Sequence, residues 1–172
     1  MGQTFQYVAP VAGAMGYSVE DTALAIGLMA NAGIKGEKAG TALRSIFTRL
    51  ADPPKDAAGA IEKLGLSITN ADGSMRPLND IMKDLRKSFA GLTQEQKVQI
   101  ASQLAGQEAM SGLLALVNAS EEDYNKLAEA IGNADGASKK MSDTMLDNLS
   151  GKWTLFQSAL DGVKISLGER FK

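Results

Sequence analysis

The 172-residue sequence contains no cysteine and no histidine. The first absence excludes disulfide frameworks, thiolate nucleophiles and cysteine-ligated metals, and leaves nothing that reports the redox compartment. The second removes the usual base of nucleophilic triads and the commonest zinc ligand. Carboxylates, Lys and Tyr alone make a poor catalytic kit, so no enzymatic activity, metal or cofactor is expected. Aromatic residues amount to only 5%, which argues against a β-sandwich and for helices packed closely through small side chains. The longest apolar run, Ala23 to Ala30, is far too short to span a bilayer. Residues 1–17 lack the basic start and apolar stretch of a signal peptide. A net charge of −2 provides no field to gather nucleic acid or anionic lipid.

What is present reads as an all-α fold. The hydrophobic fraction is 44%, and a chain of this length buries roughly 70% of its unfolded surface, enough for a core without staples. Residues 3–15 form a first helical candidate, weakened by Pro10 and Gly13. Ser18 offers an N-cap with Asp21 behind it, opening a helix with Val19, Ala23, Ile26 and Ala30 as its inward stripe and Gly33 as its stop. A helix from Gly36 to Ala51 turns Ala39, Leu43, Ile46, Phe47 and Leu50 inward and Lys38, Arg44 and Arg49 outward, and Pro53-Pro54 end it. A short helix over 56–64 closes at Gly65. Alternation at Leu66 and Ile68, followed by Asn70-Ala71-Asp72-Gly73, suggests a small hairpin or irregular element near 66–76. Pro77 suits the first position of the next helix, whose stripe is Leu78, Ile81, Met82, Leu85 and Phe89. Thr93 with Gln96 forms a capping box, residues 107–118 continue with Met110, Leu113, Leu114 and Val117, and Ser120 before Glu121-Glu122-Asp123 starts another helix.

The tail differs. Leu146, Leu149, Trp153, Phe156, Leu160, Val163 and Leu167 recur in steps of three and four, a heptad seam on an expected long helix. The expected organisation is therefore a compact helical module over 1–137 and a long amphipathic helix over 138–172, together a piece of a longer chain. The seam either docks on the module or associates between chains as a coiled coil. Unbroken large residues at every a and d position favour the second, and the bulk of Trp153 and Phe156 points to an oligomer above a dimer or to docking on another surface. A homo-oligomer is expected.

Other motifs have plain readings. Gly33-Ile34-Lys35-Gly36 has the GxxG spacing of a KH loop, but the flanking strands are missing. A helix stop, a tight turn and close helix contact through Gly40 account for it, making Gly33, Gly36 and Gly40 the candidate helix-packing turn. The two Asn-Ala-Asp-Gly turns lack acidic residues at the first and last positions of a calcium loop. Glu121, Glu122 and Asp123 read as a solvated helix start. A faint echo links Gly36–Leu43 with Gly106–Leu113.

A series of segments carries a resemblance. It runs through Tyr7-Val8-Ala9-Pro10-Val11-Ala12, Val19-Glu20-Asp21-Thr22-Ala23, Ala32-Gly33-Ile34-Lys35-Gly36 and Ala39-Gly40-Thr41-Ala42-Leu43-Arg44. Leu64-Gly65-Leu66, Asp72-Gly73, Arg76-Pro77-Leu78, Gly106-Gln107-Glu108-Ala109 and Asn133-Ala134-Asp135-Gly136-Ala137 follow in order. This series resembles the core region of bacteriophage tail tape-measure proteins. The resemblance implies a structural assembly protein of a phage or prophage tail that lies in the tube lumen and sets tube length. It also implies tail tube, tail chaperone and tail-tip partners, and residence in the virion tail after assembly in the host cytoplasm. The alternative is a nucleic-acid-binding helical module using Lys35, Lys38, Arg44 and Arg49, with salt-dependent binding as its signature. A carboxylate hydrolase is a further rival, but it needs paired carboxylates in a cleft, and the patterning offers only solvated ones.

Overall fold

A computed structural model describes residues 2–132. The helices are α1 (Gly2–Ala14), α2 (Val19–Asn31), α3 (Gly36–Ala51), α4 (Lys55–Lys63), α5 (Leu78–Ala90), α6 (Gln94–Ala105) and α7 (Met110–Val117), with α8 over residues 121–132. Apart from the last residue of α8, all belong to a compact unit that spans Met1–Ile131. The seam from Leu146 to Leu167, the long helix over 138–172 and the boundary at 137/138 lie outside the described residues.

Local chemistry sets most of the helix ends. The Ser18 hydroxyl accepts from the Asp21 amide at 3.0 Å and opens α2. A complete capping box opens α6: the Gln96 amide donates to Thr93 Oγ1 at 3.3 Å, and the Thr93 amide donates to Gln96 Oε1 at 3.0 Å. At the end of α2 the Ile34 amide reaches back to the Met29 carbonyl at 2.9 Å and the Gly33 amide to Ala30 at 3.0 Å. This is a Schellman stop, and it needs the positive φ of 85° that Gly33 supplies. The same pair of bonds closes α1 around Gly16 and α4 around Gly65. In all three an apolar residue (Tyr17, Ile34 or Leu66) follows the glycine and folds back onto the core. Pro77 is the N-cap of α5 and not its first residue; its carbonyl accepts from the Asp80 and Ile81 amides.

The core gathers around α2 and α3. On α3 the buried face is Ala39, Gly40, Ala42, Leu43, Ile46, Phe47 and Leu50, as the amphipathic period requires. On α2 the expected stripe is wrong. Buried residues are Thr22 and the whole run Leu24 to Met29, whereas Val19 is 58% exposed and Ala23 and Ala30 are only half-buried. Of the expected stripe, Ile26 alone is buried. A helix that is apolar nearly all round is enclosed by neighbours on several sides, so its period does not single out a face. Buried Thr22 is satisfied locally by donating to the Ser18 carbonyl at 2.8 Å.

Small residues let these helices approach. A Cβ at Gly40 would stand 2.8 Å from the Thr4 carbonyl oxygen and from Tyr7 Cβ, so α1 lies directly against the α3 backbone. A Cβ at Gly112 of α7 would stand 3.0 Å from Ala42 Cβ and from Met29 Cε. Tyr17 packs edge-on against Phe47 with ring centroids 4.9 Å apart.

The segment between α4 and α5 holds one antiparallel bridge, Thr69 to Met75, and no strand occurs among the described residues. Both arms are too short for a hairpin ladder. Leu66 is already bonded to Ile61 in the α4 stop, and Pro77 opens α5. Buried Ile68 anchors the turn, and Arg76 ties it down by donating to Ser67 O at 2.6 Å and Asp84 Oδ2 at 2.9 Å.

Candidate functional site

The candidate turn residues fall at the α2–α3 connection. Gly33 and Gly36 both have positive φ, 85° and 62°, with open space where a Cβ would be, and Gly40 is the contact point with α1. Lys35, Lys38 and Arg44 are exposed. Arg49 is instead engaged within the fold. Its Nη2 donates to Gln103 O at 2.9 Å and to Asp56 Oδ2 at 3.0 Å, and its Nε donates to Leu104 O at 3.3 Å. Ser45, one turn earlier on α3, donates to Ala105 O at 3.1 Å. Three consecutive carbonyls at the C-terminus of α6 are thus capped by side chains of α3, and a cation lies at the negative end of the α6 dipole. Of the four cations proposed for nucleic acid, Arg49 is thus committed to contacts within the fold, and nothing favours the nucleic-acid alternative.

A second polar cluster joins α2, α5 and α8. The Tyr124 hydroxyl donates to Asn79 Oδ1, and the Asn79 amide donates to Asp21 Oδ2 at 3.3 Å. The Arg86 guanidinium sits 5.0 Å over the Tyr124 ring and donates to Leu116 O at 3.3 Å. Burial, followed by the nearby Asp21 carboxylate, pushes the Tyr124 phenol up, with Arg86 acting in the opposite direction. Beside this cluster is a shallow recess floored by Leu24, Leu28, Leu78 and Met82. It has room for little more than a water molecule.

The remaining polar groups stay local. Ser120 and Asp123 bond each other as a helix start. Asp72 accepts from the Ser74 hydroxyl and amide, which holds its carboxyl below the ordinary range. Among the described residues no three acidic side chains converge as a metal site would require, and no helix is long and apolar enough to cross a membrane. Neither polar cluster was legible in advance. Their members are far apart in sequence, Asn79 and Tyr124 by 45 positions and Arg49 and Leu104 by 55. The signals available were Arg49 standing directly before inward Leu50, and the Tyr124, Leu127, Ala128, Ile131 stripe on α8.

These features describe a packing module, and comparison with known proteins supplies its kin. A family model described as phage-related minor tail protein matches residues 1–106. The tape measure protein of Pneumococcus phage Dp-1 is 44% identical over 165 residues, which cover 96% of this chain and 14% of that relative. The probable tape measure protein of Escherichia phage P2 is 34% identical over 170 residues, covering 97% of this chain and 21% of the relative. The chain thus spans a minor part of the length of these relatives. No solved structure matches. The chain belongs to the phage-related minor tail protein family.

Proposed function

We propose that this chain is a non-catalytic structural module of a phage or prophage tail tape-measure protein. Alignment with two tape-measure relatives over 96% and 97% of the chain carries this reading. The parent protein lies in the lumen of the tail tube and sets its length. It engages tube, chaperone and tip proteins during assembly in the host cytoplasm and ends in the virion tail. Within it, residues 2–132 are a folded docking body and not part of the ruler. A ruler grows by about 1.5 Å per residue along a helix, whereas these residues double back repeatedly through short connections. The seam at Leu146, Leu149, Trp153, Phe156, Leu160, Val163 and Leu167 joins copies of the chain to one another or docks on a partner. The Gly33–Gly36 turn sets the α2–α3 connection and Gly40 lets α1 lie against α3, so that the docking face has a fixed shape.

An in-frame deletion of residues 2–132 in the parent protein tests the assignment. As one continuous helix they would span roughly 200 Å. The expected result is a sharp drop in tail yield, with any tails that form shortened by far less than that length. Tails shortened by the full ~200 Å would make this segment ruler, and normal tails in normal number would remove its assembly role.

A further inference from the structure

We infer that α8 is a releasable clasp, and that its undocking lets α7 and α8 straighten into one continuous helix over residues 110–132. The inference goes beyond the tail assignment and rests on how α8 is held. Among the described residues, every other helix contributes fully buried side chains to the core, but α8 contributes none. Its inward stripe of Tyr124, Leu127, Ala128 and Ile131 is only half-buried. Among the described residues, three contacts stand out beside the packing of Ala128 and Ile131. The Leu127 side chain fills the space left by the missing Cβ of Gly27 on α2. The Tyr124 hydroxyl donates to Asn79, and Arg86 lies over the Tyr124 ring. The recess floored by Leu24, Leu28, Leu78 and Met82 lies at this junction, so the packing beneath the clasp is incomplete.

The hinge points the same way. Residues 118–120 are Asn118-Ala119-Ser120, without proline or glycine. Asn118 already has right-handed helical angles, φ −93° and ψ −2°. Continuing the helix through Asn and Ser costs only a few tenths of a kcal/mol per residue in propensity. What interrupts it is the Ser120 cap, made to the Asp123 amide at 3.0 Å, together with the docking of α8. Both α7 and α8 contact α2, through Gly112 on Met29 and Leu127 on Gly27. Residues two apart on a helix are turned by roughly 200° about its axis, so α7 and α8 grip well-separated sides of α2. The chain must bend between them while both are docked. Once α8 lets go, nothing in the covalent structure keeps the bend.

Two measurements on the whole 172-residue chain test this. In hydrogen exchange, amides of residues 121–132 are expected to exchange at least about tenfold faster than those of α3, through an opening that leaves α3 closed. Tyr124→Phe is expected to speed exchange in α8 by about a further fivefold, leaving α3 unchanged. In the cysteine-free background, Ser111→Cys with Glu129→Cys gives a specific spin-label pair, and a straight helix separates these backbones by about 27 Å. Tyr124→Ala is expected to populate that separation as a discrete peak. Exchange of α8 and α3 in a single common transition would overturn the proposal in the native chain, whatever the variants do. So would unchanged spin separations in Tyr124→Ala, or a broad spread without the ~27 Å peak.

Discussion

The carbonyls of Gln103, Leu104 and Ala105 end α6 under the side chains of Arg49 and Ser45. Arg49 is a quarter exposed, and its carboxylate partner Asp56 is about half exposed, so the ion pair itself adds little and the carbonyl bonds matter more. Arg49→Ala should therefore lower unfolding stability by about 2 kcal/mol, and Asp56→Asn by less than about 0.5 kcal/mol. Urea titration of both variants checks this, and equal losses would mean that the ion pair dominates. Tyr17 presents the opposite case. Its ring is buried against Phe47, yet its hydroxyl has no hydrogen-bond partner among the described residues. Tyr17→Phe keeps the ring contact and removes the orphan, so stability should hold or rise by about 1 kcal/mol. Burial also pushes the Tyr17 phenol up to about 12 from 10.0. Below pH 10 both states keep the proton. Between pH 10 and about 12 the unfolded chain loses it first, and stability falls as pH rises. Stability measured across that window should decline more steeply for the native chain than for Tyr17→Phe.

At the scale of elements, glycines on helices divide by what stands opposite them. A Cβ at Gly40 would stand 2.8 Å from the Thr4 carbonyl oxygen and from Tyr7 Cβ, and backbone cannot give way as a flexible side chain can. Gly59, on exposed α4, has nothing within 4 Å. Gly40→Ala should then destabilise by about 1–3 kcal/mol as α1 is forced outward. Gly59→Ala should stabilise by roughly 0.5–1 kcal/mol through helix propensity alone. Thermal melts of the pair read the two signs directly, and a shared sign would show that the α1–α3 approach is looser than described. The same division explains what the sequence makes legible. Caps are local, so Ser18, Thr93 with Gln96, and the glycine stops at 33 and 65 could be read from neighbouring residues. The α3 face was legible because its outward positions are charged. The α2 face was not, because Ala, Leu, Ile, Gly and Met surround that helix and the chosen stripe included its most exposed member, Val19. The hairpin near 66–76 shrank to a single bridge because the helix stop and Pro77 consume its arms. Arg49 and the Asp21–Asn79–Tyr124 cluster depend on contacts between distant segments, for which a one-dimensional pattern holds no local sign.

At the scale of the whole molecule, the described residues form a helical body whose two polar clusters tie its helices to one another. The resemblance carried by the ordered segments from Tyr7 to Ala137 agrees with the family found by comparison, whose model covers residues 1–106. On the proposed function, this body is enclosed within the tail while the tail is intact. An epitope inserted at the exposed turn Ala71–Gly73 allows that to be measured by antibody binding to purified particles. No binding to intact tails is expected, and strong binding once the tail contents are released. Antibody decorating the outer surface of intact tails along their length would contradict it.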